Sequence, residues 1–140
     1  MKLNILNITN KNIEQEIINT VEETKEELKN LTTEATCKIY SSYIKGSLDE
    51  KHILNKIINS KKDLDCSYEH EFVIVPDNKD YYLVDLTYPQ FGIDNELWKL
   101  YEFGYEKMTN EKWKHYLHTI SKNDYTNIEL KDIIYKHKGV

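Results

Sequence analysis

The sequence contains no arginine; all 19 of its basic residues are lysines. That removes the planar, two-pronged guanidinium from its chemistry, and with it bidentate recognition of phosphate or carboxylate. The net charge is −5, and the only adjacent lysine pair is Lys61-Lys62. No basic patch is therefore expected to support nucleic-acid binding. Glycine (four) and proline (two) are scarce, so no linker or repeat divides the chain, and one domain over 1–140 is expected. The two cysteines, Cys37 and Cys66, are too few for a disulfide framework. A reducing, cytoplasmic setting is the simplest expectation. Long apolar runs are also missing. The start, "MKLNILNITNK", is broken by asparagines and lacks the apolar stretch and cleavage site of a signal peptide. No segment is long enough to span a bilayer, and no membrane association is expected.

What is present is rich in Asn, Ile, Lys and Tyr, a composition that fits an AT-rich coding bias. Residues 2–8 alternate loosely, as an edge strand would. Asn10 or Asn12 can cap a helix over "IEQEIINTVEETKEELKNL", with Ile13, Ile17, Val21 and Leu28 on one face. A second helix is expected in "TTEATCKIYSSYIKGSL". Thr32, Thr33 and Thr36 are its possible N-caps, Ile39, Tyr40, Tyr43 and Ile44 its buried face, and Gly46 its C-cap. Ile53, Leu54, Ile57 and Ile58 predict a third. The period then changes: "HEFVIV" and "YYLVDL" read as strands about the turn "PDNKD". Two more helices follow, "DNELWKLYEFGYEK" and "TNEKWKHYLHTISK", the latter capped by Thr109. The tail "NIELKDIIYKHKG" fits a short strand or a last helix.

The strand pair carries an imidazole at its start and a carboxylate near its end. If the turn centres on Asn78-Lys79, Asp77 faces Asp80 and Val75 faces Tyr82. The same register sets Phe72 opposite Asp85. His70 then shares the Phe72 face, with Asp85 as its diagonal neighbour, roughly 7–8 Å away between backbones. A slip of one residue would turn Asp85 to the other face.

A carboxylate that holds an imidazole fixes its tautomer and stabilises the imidazolium. The second ring nitrogen then faces a partner, and a thiol partner yields a thiolate–imidazolium pair. Cys37 is the better placed thiol, because the first turn of a helix lowers a cysteine pKa and offers N–H groups to an oxyanion. Taken singly, each residue has an ordinary reading: a small core cysteine, a strand-start histidine, a turn-forming aspartate. The ordered set of three carries the argument.

At these residues the chain resembles the papain-like and transglutaminase-like cysteine enzymes. The narrower likeness is to small bacterial peptidases and glutamine deamidases. The matching text is "ATCKIYSSYI", "HEFVIV" and "YYLVDLTYPQF", which covers about half of the chain. The resemblance implies an α+β fold in which a small antiparallel sheet packs against the helix bearing the cysteine. It implies Cys37 as nucleophile, His70 as general base and acid, and Asp85 as the group that orients His70, with no cofactor. Where many relatives carry Gly just before the cysteine, this chain has Ala35-Thr36, and Leu86 stands in place of a Pro. Gln15, the only glutamine upstream of Cys37, lies on the polar side of its helix and is not assigned. Gln90 is read as holding its loop.

Two functions follow. One is a cysteine hydrolase or acyltransferase that acts on a peptide bond or glutamine amide of a protein or peptide through a thioester. The other is a non-catalytic protein-binding module on the same fold. A zinc site from Cys37, Cys66 and His70 lacks paired C-x-x-C spacing, and no metal is expected. His52, His115, His118 and His137 are expected at the surface. Trp98, Tyr101, Tyr105, Trp113 and Tyr116 follow helical spacing and are expected in the core.

Overall fold

The computed structural model describes residues 12–31 and 36–121. The expected strand at 2–8, the caps Thr32 and Thr33, His137 and the tail from residue 127 lie outside them. The described residues are α+β. Four antiparallel strands pair in sequence order: β1 (Lys56–Asn59), β2 (Glu71–Asp77), β3 (Asp80–Val84) and β4 (Tyr105–Lys107). The helices are α1 (Ile13–Glu27), α2 (Cys37–Glu50), the single turn α3 (Ser60–Asp63), α4 (Trp98–Phe103) and α5 (Asn110–Ser121). Two 3-10 turns, Tyr88–Phe91 and Asn95–Leu97, join β3 to α4.

The sheet is covered on both faces. On one, Ile17 and Val21 of α1 and Tyr40, Ile44 and Leu48 of α2 pack against Val73, Val75 and Val84. On the other, Leu100 of α4 and Trp113, Tyr116, Leu117 and Ile120 of α5 pack against Phe72, Ile74 and Leu83. A strand buried on both sides gains from apolar residues at every position, which is why "FVIV" and "YLV" run without polar breaks.

The hairpin has the register set by its turn. Asp77 pairs with Asp80, Val75 with Tyr82 and Val73 with Val84. Asn78 takes the left-handed φ of 56° in the turn, a conformation that asparagine tolerates. Continued by one step, the register sets Phe72 opposite Asp85, the first residue past β3.

Four expectations are corrected. Helix α2 does not stop at Gly46, which sits inside it in open space; it runs to Glu50. The stop is His52, at φ 60°. The Ile53 N–H bonds Leu48 O at 2.9 Å and the His52 N–H bonds Asp49 O at 3.0 Å. This is the paired closure of a left-handed helix end, with Ile53 and Leu48 supplying its apolar contact. Secondly, of the apolar residues that predicted a third helix, Ile57 and Ile58 lie in β1, while Ile53 and Leu54 precede it. Ile57 points to the α1/α2 face and Ile58 to the other, so a two-sided strand gave the adjacent pair that a helix would also show. Thirdly, Ile39 is half exposed, and the inner face of α2 is Tyr40, Ser41, Ile44 and Leu48. Lastly, the helix expected over 94–107 is helical only at Trp98–Phe103: Asn95–Leu97 is a 3-10 turn and "YEK" is edge strand β4.

Gly104 makes that last change possible. Its φ is +82°, and a Cβ there would lie 2.3 Å from Leu86 Cδ2. Its N–H closes α4 on Leu100 O at 2.9 Å. Its carbonyl accepts the Asp85 N–H at 2.9 Å, so a glycine needed for a helix end also fixes the backbone of the carboxylate. Among the described residues no helix is long and apolar enough to cross a membrane.

Candidate active site

His70 is held by its backbone before its ring is considered. The hydroxyl of Ser60, at the start of α3, accepts the His70 N–H at 2.7 Å and donates to Tyr68 O at 2.6 Å. The Ser60 N–H returns to His70 O at 2.8 Å. Ser60 itself is placed by Asn59, whose Oδ1 caps the turn through the N–H groups of Lys61 and Lys62 at 3.0 and 3.1 Å. The His70 ring lies between aromatics: Phe91 meets it edge-on at 4.9 Å and Phe72 lies parallel at 6.2 Å.

The ring reaches Asp85 as the register implied. His70 Nε2 is 2.7 Å from Asp85 Oδ2, and both side chains are buried. Asp85 carries no proton as a carboxylate, so Nε2 is the donor. Oδ2 also accepts the Tyr116 hydroxyl at 2.7 Å. Oδ1 accepts the Thr87 N–H at 3.0 Å and the Thr87 hydroxyl at 2.9 Å. A buried carboxylate with four donors is fully satisfied.

Cys37 opens α2, after Thr36 at the cap position. The His70 side chain hydrogen-bonds the Cys37 thiol, and with Nε2 on Asp85 the nitrogen left for it is Nδ1; the Glu71 backbone adds a second bond. Partial burial pushes the Cys37 pKa up. The His70 bond, the Glu71 backbone bond and the charge of the imidazolium outweigh it, and the thiol ends below its ordinary value. Burial also disfavours the imidazolium, but the charge and hydrogen bond of Asp85, then Cys37, raise His70 from 6.5 to about 9. The two shifts act in one direction, toward thiolate with imidazolium. Helix α2 adds its positive end, and its first N–H groups have no partner within the helix. Beside Cys37, Lys38 pairs with Glu69 at 3.2 Å, and Asn59 Nδ2 reaches Glu69 and Glu71 at 3.2 Å each.

Cys37, His70 and Asp85 are thus brought together. Cys66 is not with them. It is buried in the core on the α5 face, its thiol on Leu64 O at 3.8 Å. Among the described residues no group of three or more His, Cys, Asp or Glu is arranged to hold a metal ion. His52 and His118 are exposed, and His115 is half-buried. Gln15 is exposed and bonds Asn19 at 3.0 Å. Of the aromatic set, Trp113 and Tyr116 are core, whereas Trp98 is half exposed.

Four supporting residues escaped the sequence reading: Ser60, Thr87, Gly104 and Tyr116. Only Thr87 carried a local signal, since a Thr two residues after an Asp readily closes an Asx turn onto it. Comparison of the chain with protein-family models, with curated proteins and with solved structures finds no match.

Proposed function

We propose that this protein is a cysteine hydrolase or acyltransferase on a papain-like or transglutaminase-like fold, acting on a peptide bond or a glutamine amide. One observation carries the reading: a helix-start thiol is hydrogen-bonded by an imidazole whose other nitrogen lies 2.7 Å from a buried carboxylate. In this reading the Cys37 thiolate adds to the amide carbon. The oxygen takes the negative charge, facing the first N–H groups of α2. The C–N bond then breaks as His70 gives its proton to the nitrogen, and an amine or ammonia leaves a thioester on Cys37. Water or an amine adds to the thioester carbon and passes a proton to His70. The C–S bond breaks, and thiolate and imidazolium are restored. Asp85 keeps the ring in one tautomer throughout and transfers no proton.

The test is the reactivity of Cys37 with iodoacetamide against pH, followed by a panel of peptides and glutamine-containing proteins. Wild type should alkylate at Cys37 well below the ordinary thiol pKa of about 8.5. His70→Ala should lose that advantage, and Cys37→Ala should abolish turnover. Alkylation that rises only near 8.5 in wild type would overturn the reading and leave a non-catalytic binding module on this fold.

A further inference from the structure

Two donors meet one oxygen of Asp85. His70 Nε2 and the Tyr116 hydroxyl both stand 2.7 Å from Oδ2, while Thr87 occupies Oδ1 with two bonds. The Thr87 bonds are local, two residues along the chain. Tyr116 arrives from α5, across the core, and is fully buried. Its ring is anchored by Phe72 edge-on at 4.9 Å and by Trp113, near parallel at 6.0 Å. A buried phenol needs an acceptor, but any core carbonyl would serve. Here the acceptor is the oxygen that orients the imidazole.

We propose that Tyr116 is a positioning residue of the Cys37–His70–Asp85 site. It shares Oδ2 with His70, restrains the carboxylate and withdraws part of the charge that would otherwise face the imidazole alone. The catalytic consequence rests on the function proposed above; the effect on His70 does not. A donor to a carboxylate makes it less basic, so it holds the imidazolium less tightly. His70 is then a stronger acid than Asp85 alone would leave it, which favours proton delivery to a departing amine. Tyr116 remains a donor, because burial and then the charge of Asp85 push its phenol well above 10. The titratable groups facing His70 are Cys37 of α2 and Asp85 after β3. Those facing Asp85 are His70, Cys37 of α2, Tyr116 of α5, and Tyr88 of the first 3-10 turn.

The experiment is an NMR titration of the His70 ring nitrogens in the full chain, with and without Tyr116→Phe, in a Cys37→Ala background. Thr87 still anchors Oδ1 in the variant, so the carboxylate stays in place and its charge concentrates on Oδ2. The His70 midpoint should rise by about 1 pH unit, the worth of one hydrogen bond to a charged group. With Cys37 present, the iodoacetamide profile should move to lower pH by a similar amount. A role in packing alone would lower the melting temperature and leave both midpoints where they were, and that result overturns the proposal. So does a fall of the His70 midpoint, which would mean that Asp85 had swung away. If Tyr116→Phe does not fold, 3-fluorotyrosine placed at 116 supplies a stronger donor of nearly the same shape. The His70 midpoint should then fall, and an unchanged one overturns the proposal. A His70 shift as expected beside an unreactive Cys37 would keep Tyr116 as positioning residue and discard only the catalytic reading.

Discussion

Among the described residues two histidine–carboxylate pairs stand in very different settings. His70 and Asp85 meet at 2.7 Å, with side chains 1% and 2% exposed. His115 and Asp94 meet at 3.1 Å, with side chains 41% and 26% exposed. Asp85 has Tyr116 and Thr87 behind it. Asp94 spends its other oxygen on a helix cap, the Glu96 N–H at 2.9 Å. Contact length therefore does not distinguish a candidate site from a surface pair. Burial, a second donor on the shared oxygen and a third partner on the far side of the ring do. In the first pair the third partner is a thiol.

The largest expected difference comes from deleting a carboxylate. Asp85→Ala leaves His70, Tyr116 and the Thr87 hydroxyl buried without their acceptor. Breaking a buried pair from one side costs about 3–5 kcal/mol. Urea unfolding should show that loss, together with a rise in the pH needed to alkylate Cys37. A loss under about 1 kcal/mol would place the buried pair in the same class as an exposed one.

The second test uses pH. His70 titrates at about 9 in the folded protein and near 6.5 unfolded. Its stabilisation is complete below 6.5 and is lost as pH rises through about 9, because the folded state holds the extra proton in between. Cys37 has the opposite sign. Its thiol is lowered from 9.0, so above its folded pKa the unfolded state holds the extra proton, and stability rises with pH up to about 9.0. In wild type the two slopes oppose each other, and the curve should be flatter across the shared window than either group alone would make it. Cys37→Ala removes one slope and should unmask the other, with stability falling as pH rises above 6.5. Parallel curves for wild type and Cys37→Ala in urea titrations would show that the thiol and the imidazole are not coupled.

What the sequence revealed follows from the range of each signal. The hairpin register was legible because Asn78-Lys79 is local turn chemistry and one residue of slip would reverse every side chain. The places of His70 and Asp85 followed from that register, and Cys37 from its position at a helix start. The end of α2 was misjudged because Gly46 is a residue type associated with helix ends, whereas the actual stop, His52, is unusual there. Strand β1 was hidden because Ile57 and Ile58 serve opposite cores, a fact about β2 and not about residues 53–59. Tyr116 looked like one more core aromatic. Its task is set by an oxygen 31 residues away in the chain, and no spacing rule carries that distance.

The smallest expected effect is at the exposed pair. His115 is half-buried on α5 with its ring against Asp94, and alanine is the better helix former at this position. Loss of an exposed ion pair costs about 0–1 kcal/mol and is screened by salt. His115→Ala should therefore change the urea midpoint little, and any change should shrink in added salt. The pH profile of Cys37 alkylation should stay that of wild type, since His115 touches neither His70 nor Asp85. His115 is nevertheless one residue before Tyr116 on the same helix. If His115→Ala moves the alkylation profile without lowering stability, the Asp94 contact helps set the rotation of α5, and the two pairs are mechanically joined rather than merely alike.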